Sequence, residues 1–201
     1  MGRPREFDVE KAIDTAVDMF WRKGYDGTSL ADLTVAIGIT PPSFYFAFGS
    51  KEGLFEKALD RYQSGHVSYV AEALREKTAR AVAERLLNGF ADGFTDPAHP
   101  PGCLGVNCAL PCPEDADPVR LILARAREAI RTKLRERFEQ AKLSGDLPAD
   151  ADPTELARYI LVVGWGMAVD AQSGASREDL RRTVSMAMKA WPRSRKRGGS
   201  Q

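Results

Sequence analysis

The side chains best suited to covalent or metal chemistry lie close together: His99, Cys103, Cys108 and Cys112 read H-x3-C-x4-C-x3-C. Those spacings match no common zinc module, so no metal site is expected. The other histidine, His66, is isolated, and no nucleophile–base–acid set accompanies the thiols. No catalytic residue, cofactor or enzymatic activity is expected; an enzyme or small-molecule carrier on a helical scaffold stays as a remote alternative. A different chemistry is available between Leu33 and Ser50, where no residue is charged. Thr40, Pro42, Ser43, Tyr45 and Phe46 bring hydroxyls, a proline and rings together there. Hydroxyls bond several kinds of base edge and apolar groups touch a thymine methyl, so this cluster has the composition to read a DNA groove.

Those residues need short helices to position them. One starts at Thr28-Ser29 with Leu30, Leu33 and Ile37 on its apolar side, and Gly38 breaks it. Thr40 then caps a second, with Pro41 at the first position, where a missing N–H costs nothing. Two short helices joined by a tight turn containing Gly make a helix-turn-helix, whose second helix enters the major groove. Upstream, Asp8 caps a helix with Val9, Ala12, Ile13, Ala16, Val17 and Phe20 at the 3.6-residue period, closed by Gly24. Downstream, Ser50 caps a longer helix carrying Leu54, Phe55, Ala58, Leu59 and Tyr62, which links the two halves of the chain without a flexible linker.

Beyond residue 75 the periodicity stays helical. Val82, Leu86, Phe90 and Phe94 mark one helix, ending at Asp96-Pro97. After the loop DPAHPPG and the short apolar run CLGVNCAL, a charged helix opens at Pro118 and runs to about Leu143. An apolar helix spans Leu156 to Ala171, and Ser176 with Asp179 forms a capping box for the last, which ends near Trp191-Pro192. No strand pattern or repeat is visible. The fold class is therefore all-α: a helix-turn-helix domain over 1–52, a larger helical domain over 53–191, and a basic tail over 192–201 expected to be disordered.

Charge alone gives no reason to expect nucleic acid. The net charge is +1, and residues 1–60 carry seven Lys/Arg against ten Asp/Glu. Arg3, Arg5 and Lys51 remain near the reading unit, so affinity rests on few phosphate contacts. The helix from Val119 to Lys142 holds eight Lys/Arg against three acids, read as a solvated face with helical ion pairs. Three cysteines, an odd count, fit a reducing cytoplasm, and neither a signal peptide nor a membrane span is expected.

With Gly24-Tyr25, Thr28, Leu33, Ala36, Gly38-Ile39-Thr40, Ser43, Tyr45, Phe48, Ser50-Lys51-Glu52 and Leu54-Phe55 in order, the chain resembles the TetR/AcrR family of bacterial transcription regulators. The match is strong over residues 7–55. Elsewhere it extends only to length and helical character. The resemblance implies a repressor that binds a palindromic operator in double-stranded DNA as a homodimer and is released by an unidentified small-molecule effector. It assigns phosphate contacts to Tyr45, Lys51 and Thr28, base contacts to Thr40, Pro42, Ser43 and Phe46, and an arm to Arg3 and Arg5. Phe44 and Phe48 read as core. Thr34 stands where the family commonly has a small Ala, and the recognition helix has no Arg or Lys to read guanine.

For the second half the resemblance implies an effector pocket and a four-helix dimer interface. Phe90, Phe94, Cys103, Asn107 and Trp165 are the ligand candidates, with Val106, Leu123 and Asp170 behind them. Leu161, Trp165, Met167, Leu180, Val184 and Met188 are the interface candidates, joined by Leu156 and Trp191, and Gly164-Trp165-Gly166 reads as a place where two backbones approach. Gly102-Cys103-Leu104 resembles a motif of electrophile- or oxidant-sensing members, which makes a thiol-based regulator the main alternative; a buried structural thiol is the other reading.

Overall fold

The computed structural model describes residues 7–109 and 117–192, with the Asp117 side chain left aside. Arg3, Arg5, Cys112 and the tail from Arg193 onward lie outside the described residues. Among those described, every regular element is an α-helix: α1 (Val9–Lys23), α2 (Leu30–Ile37), α3 (Pro41–Phe48), α4 (Lys51–Ser64), α5 (Tyr69–Ala73), α6 (Ala79–Phe94), α7 (Leu104–Asn107), α8 (Asp117–Leu143), α9 (Pro153–Gln172) and α10 (Arg177–Lys189).

Side-chain caps set most of the starts. Asp8 accepts from the amides of Glu10 and Lys11, Ser50 from Gly53, and Ser29 and Ser176 close capping boxes with Asp32 and Asp179. Gly38 ends α2 in the left-handed region at φ 78°, a conformation that costs glycine nothing. The turn to α3 is thereby fixed, and Thr40 starts it with Pro41 at its first position.

Two cores form. In the first, α1 to α4 pack Phe20, Leu33, Phe44, Leu54 and Phe55 fully out of solvent. Each such side chain contributes about 1.5–3 kcal/mol by leaving water. The second core joins α6, α9 and α10 through Leu86, Leu87, Ile160, Leu161 and Leu180, with Leu134 and Phe138 from α8. The cores are stitched together at α7. Leu104 and Cys108, with Val119 and Leu123 from α8, complete the first core. The amide of Asn107 donates to the Trp21 carbonyl at 2.9 Å, and the Cys108 thiol to that of Phe20 at 3.4 Å. Those carbonyls lie in the last turn of α1, where that of Phe20 also accepts from the Gly24 N–H at 3.0 Å.

The interface assigned from sequence needs correction. Leu161, Met167, Leu180, Val184 and Met188 are interior residues of this chain's own second core, none more than 4% exposed. Trp165, partly buried, packs against that core. Gly164 likewise serves the subunit itself: a Cβ there would stand 2.5 Å from the Phe90 ring. A hydrophobic stripe marks a covered face without saying what covers it. The apolar groups that α9 and α10 do leave exposed are Val162, Val169 and Met186, and beside Gly166 there is open space.

Candidate nucleic-acid interface and effector cavity

Helix α3 divides its aromatic residues by face. Phe44 and Phe48 are buried, their rings 5.3 Å apart, and anchor the helix. Tyr45 is half exposed, and Phe46 is 94% exposed. An aromatic ring held in water on a well-packed helix has no structural return, because burial would be worth about 1.5–3 kcal/mol. Thr40 and Pro42 share that exposed surface, and the hydroxyls of Thr40 and Ser43 are 3.0 Å apart in mutual hydrogen bonding. The exposed face is uncharged, an apolar and hydroxyl-bearing surface suited to base edges and thymine methyls.

Two residues assigned to phosphate sit differently from expectation. Thr28 is fully buried, and its hydroxyl donates to the Gly24 carbonyl at 2.7 Å. It ties the end of α1 to the start of α2 and offers no surface to a phosphate. Lys51, at the first turn of α4, holds its ammonium 3.9 Å above the Tyr25 ring. Burial lowers its pKa below the usual lysine value. The Tyr25 hydroxyl donates to Glu52 at 2.6 Å, which holds that carboxyl below the usual range, while burial first and Glu52 second raise the tyrosine. Lys51 is therefore pre-set at the edge of the reading face by a ring beneath it.

Between the two cores lies a cavity of about 380 Å³. Helix α4 contributes Leu59, Tyr62 and Gln63 to its wall, α6 Phe90 and Phe94, α8 Arg127 and Ile130, and α9 Leu161 and Trp165. Cys103 is half-buried in the same wall beside Tyr62. Burial, and after it that thiol, push the Tyr62 hydroxyl well above its ordinary value. Arg127 donates to the Gly105 carbonyl at 3.1 Å and lies 5.6 Å from the Trp165 ring centre. Nearby, at the junction of α1, α4 and the loop after α6, the His66 and His99 rings meet edge to face at 4.3 Å. No cluster of three His, Cys, Asp or Glu able to hold a metal occurs among the described residues, and no described helix is long and apolar enough to cross a membrane.

This architecture, a three-helix reading head under a helical body with a cavity between their cores, matches known proteins over most of its length. Residues 12–58 match the model for bacterial regulatory proteins of the tetR family, and residues 79–187 the tetracyclin repressor-like C-terminal domain. The chain belongs to the TetR family. The HTH-type transcriptional repressor ComR of Escherichia coli (strain K12) is 33% identical over 95% of this chain and 92% of its own length. A cysteine-substituted form of the TetR family regulator CifR, complexed with a 26-base-pair operator duplex, is 42% identical and superposes with a TM-score of 0.89 over 95% of this chain and all of that one. A TetR-like regulator from Rhodococcus sp. RHA1 is 43% identical, with a TM-score of 0.61 over 92% of this chain and 99% of that one.

Within this TetR-family regulator of transcription, the cavity gathers Phe90, Phe94, Cys103 and Trp165 from the ligand candidates, with Val106 and Leu123. Asn107 is not among its lining residues, since its amide is spent on α1, and Asp170 is exposed elsewhere on α9. Sequence reasoning missed Tyr62, Arg127 and Ile130. Tyr62 reads as ordinary core by its spacing. Arg127 carried a signal: it falls in the inward stripe of Leu123, Ile130 and Leu134, a place where an unpaired charge is costly unless it has a purpose.

Proposed function

We propose that the protein is a homodimeric repressor that reads a palindromic operator with two copies of α3 and releases it when a small molecule fills the cavity. One observation carries this reading: the cavity is walled by the same α4 that presents Lys51 and packs Leu54 and Phe55 beneath the reading head. A ligand that prefers a shifted α4 moves the recognition helices off the spacing of about 34–36 Å between successive major grooves. The exposed Val162, Val169 and Met186 form the face on which a second copy docks, beside the open Gly166. The chain's similarity to the repressor ComR and to operator-bound CifR supports repression and operator binding. Selection of source-genome fragments on the purified dimer tests the reading: one or a few palindromic sites are expected. A folded dimer that enriches no site overturns it.

A second reading rests on Cys103, whose thiol shares the cavity wall with Tyr62. There a conjugate acceptor such as a maleimide adds the thiol across its C=C bond: the carbon–sulfur bond forms as the π bond breaks, the thiol's proton passes through solvent to the neighbouring carbon, and the adduct takes the place of a bound effector. Operator release by N-ethylmaleimide that disappears in Cys103→Ser supports this version, and release unchanged in that variant rejects it.

A further inference from the structure

We infer that the cavity accepts a monoanionic amphiphile, an apolar body of roughly a dozen heavy atoms ending in a carboxylate that Arg127 receives. The inference rests on the reading of this cavity as the effector site and names the chemical class it takes. Size follows from volume: about 380 Å³, at the ~30 Å³ that one water occupies in the liquid, holds roughly a dozen such atoms. The body is set by the wall, which is aliphatic and aromatic over most of its surface through Val70, Phe90, Phe94, Ile130, Leu161 and Trp165.

The headgroup is set by charge. Among the described residues no Asp or Glu lines the cavity, and its charged members are Arg127 and Lys133. Lys133 is exposed at the rim, whereas Arg127 is half-buried on the inward stripe of α8. A guanidinium carries five N–H donors, and Arg127 spends one on Gly105 while forming no ion pair among the described residues. The neighbouring arginines differ: Arg131 pairs with Glu128 and Arg135 with Glu139. Arg127 is thus held in place by a carbonyl and the Trp165 ring, with donors to spare and no internal anion. A planar carboxylate fits that fork bidentately, while a cationic ligand would meet two like charges and no counter-ion.

The test is calorimetric titration of the full-length dimer with three probes of one chain length: decanoate, decan-1-ol and decylamine. Decanoate is expected to bind at least tenfold more tightly than the alcohol, and the amine more weakly than either. Arg127→Gln should bring acid and alcohol to equal affinity without changing the alcohol's own. Arg127→Lys, which keeps the charge and loses the fork, should restore part of the preference. Equal binding of acid and alcohol by the unaltered protein overturns the anion assignment and leaves the cavity as an effector site. Preference for decylamine overturns it as well. No binding by any probe to a protein that melts cooperatively removes both this inference and the effector reading beneath it.

Discussion

The two cores are filled in opposite styles. In the reading head, Phe20 stacks on Tyr25 at 5.8 Å and meets Phe55 edge-on at 5.2 Å, while Phe44 touches both Tyr45 and Phe48. Rings locked edge to face allow few alternative packings. On the body's side, Phe90, Phe94, Leu161 and Trp165 instead face the cavity between the two cores. The lesson is a division of labour. The part that presents atoms to DNA is filled by interlocking rings, and under the proposed function the part that responds keeps room to repack.

Truncating each wall is the strongest way to break that contrast. Phe55→Ala should cost about 3–5 kcal/mol in chemical denaturation, since Phe55 is wholly buried against two rings. Phe90→Ala should cost less, about 2 kcal/mol, because one side of that ring already faces the cavity. Equal losses would mean that the body is as tightly packed as the head. Next in size is Phe46→Ala, expected to weaken operator binding by about 1–3 kcal/mol, read by fluorescence anisotropy. Its melting temperature should not move, as the ring is almost fully solvated. A drop in stability without loss of affinity would turn Phe46 into a packing residue.

A smaller effect is expected at Lys51, because its ammonium already rests on Tyr25. Lys51→Ala should flatten the logarithmic salt dependence of DNA binding by about 0.9. An unchanged slope would remove this lysine from the phosphate contacts. The smallest effect concerns the histidine pair at the junction of head and body. Burial first and His99 second lower His66 below 6.5, against opposing pulls from Asp14 and Asp96. Its neutral form is the one the fold favours, so its contribution is full above pH 6.5 and is lost as pH falls through the lower folded value. Acidification through that window should therefore lower Tm more in the native chain than in His66→Asn. Identical pH profiles would sever the pair from stability.

The reading head was legible because its signals are local. Asp8, Ser29, Thr40 and Ser50 announce helix starts in their side chains, Gly38 announces a left-handed stop, and each acts within four residues of itself. Helix α5 was not anticipated: it is five residues long, and Ser68 makes no side-chain cap. Burial of Thr28 was also hidden, since a threonine before a helix reads the same whether its hydroxyl faces water or a carbonyl nine or fewer residues away. In the body the apolar stripes of α9 and α10 were recognised and assigned to the wrong neighbour. Periodicity records that a face is covered, and Leu161 or Met188 cannot show in sequence whether α6 or a second subunit covers it.

The stitching at α7 bears on how such regulators can be recombined. Asn107 and Cys108 bond the last carbonyls of α1 from more than eighty positions away, and Leu104 seals the head's interior. A chimera that grafts only residues 1–66 onto a foreign body would lose both of those bonds and leave a hole beneath Phe20. The transplantable unit is instead the head together with this one-turn wedge and the opening of α8. An engineer exchanging operator specificity between relatives would have to exchange separate stretches of the chain rather than one.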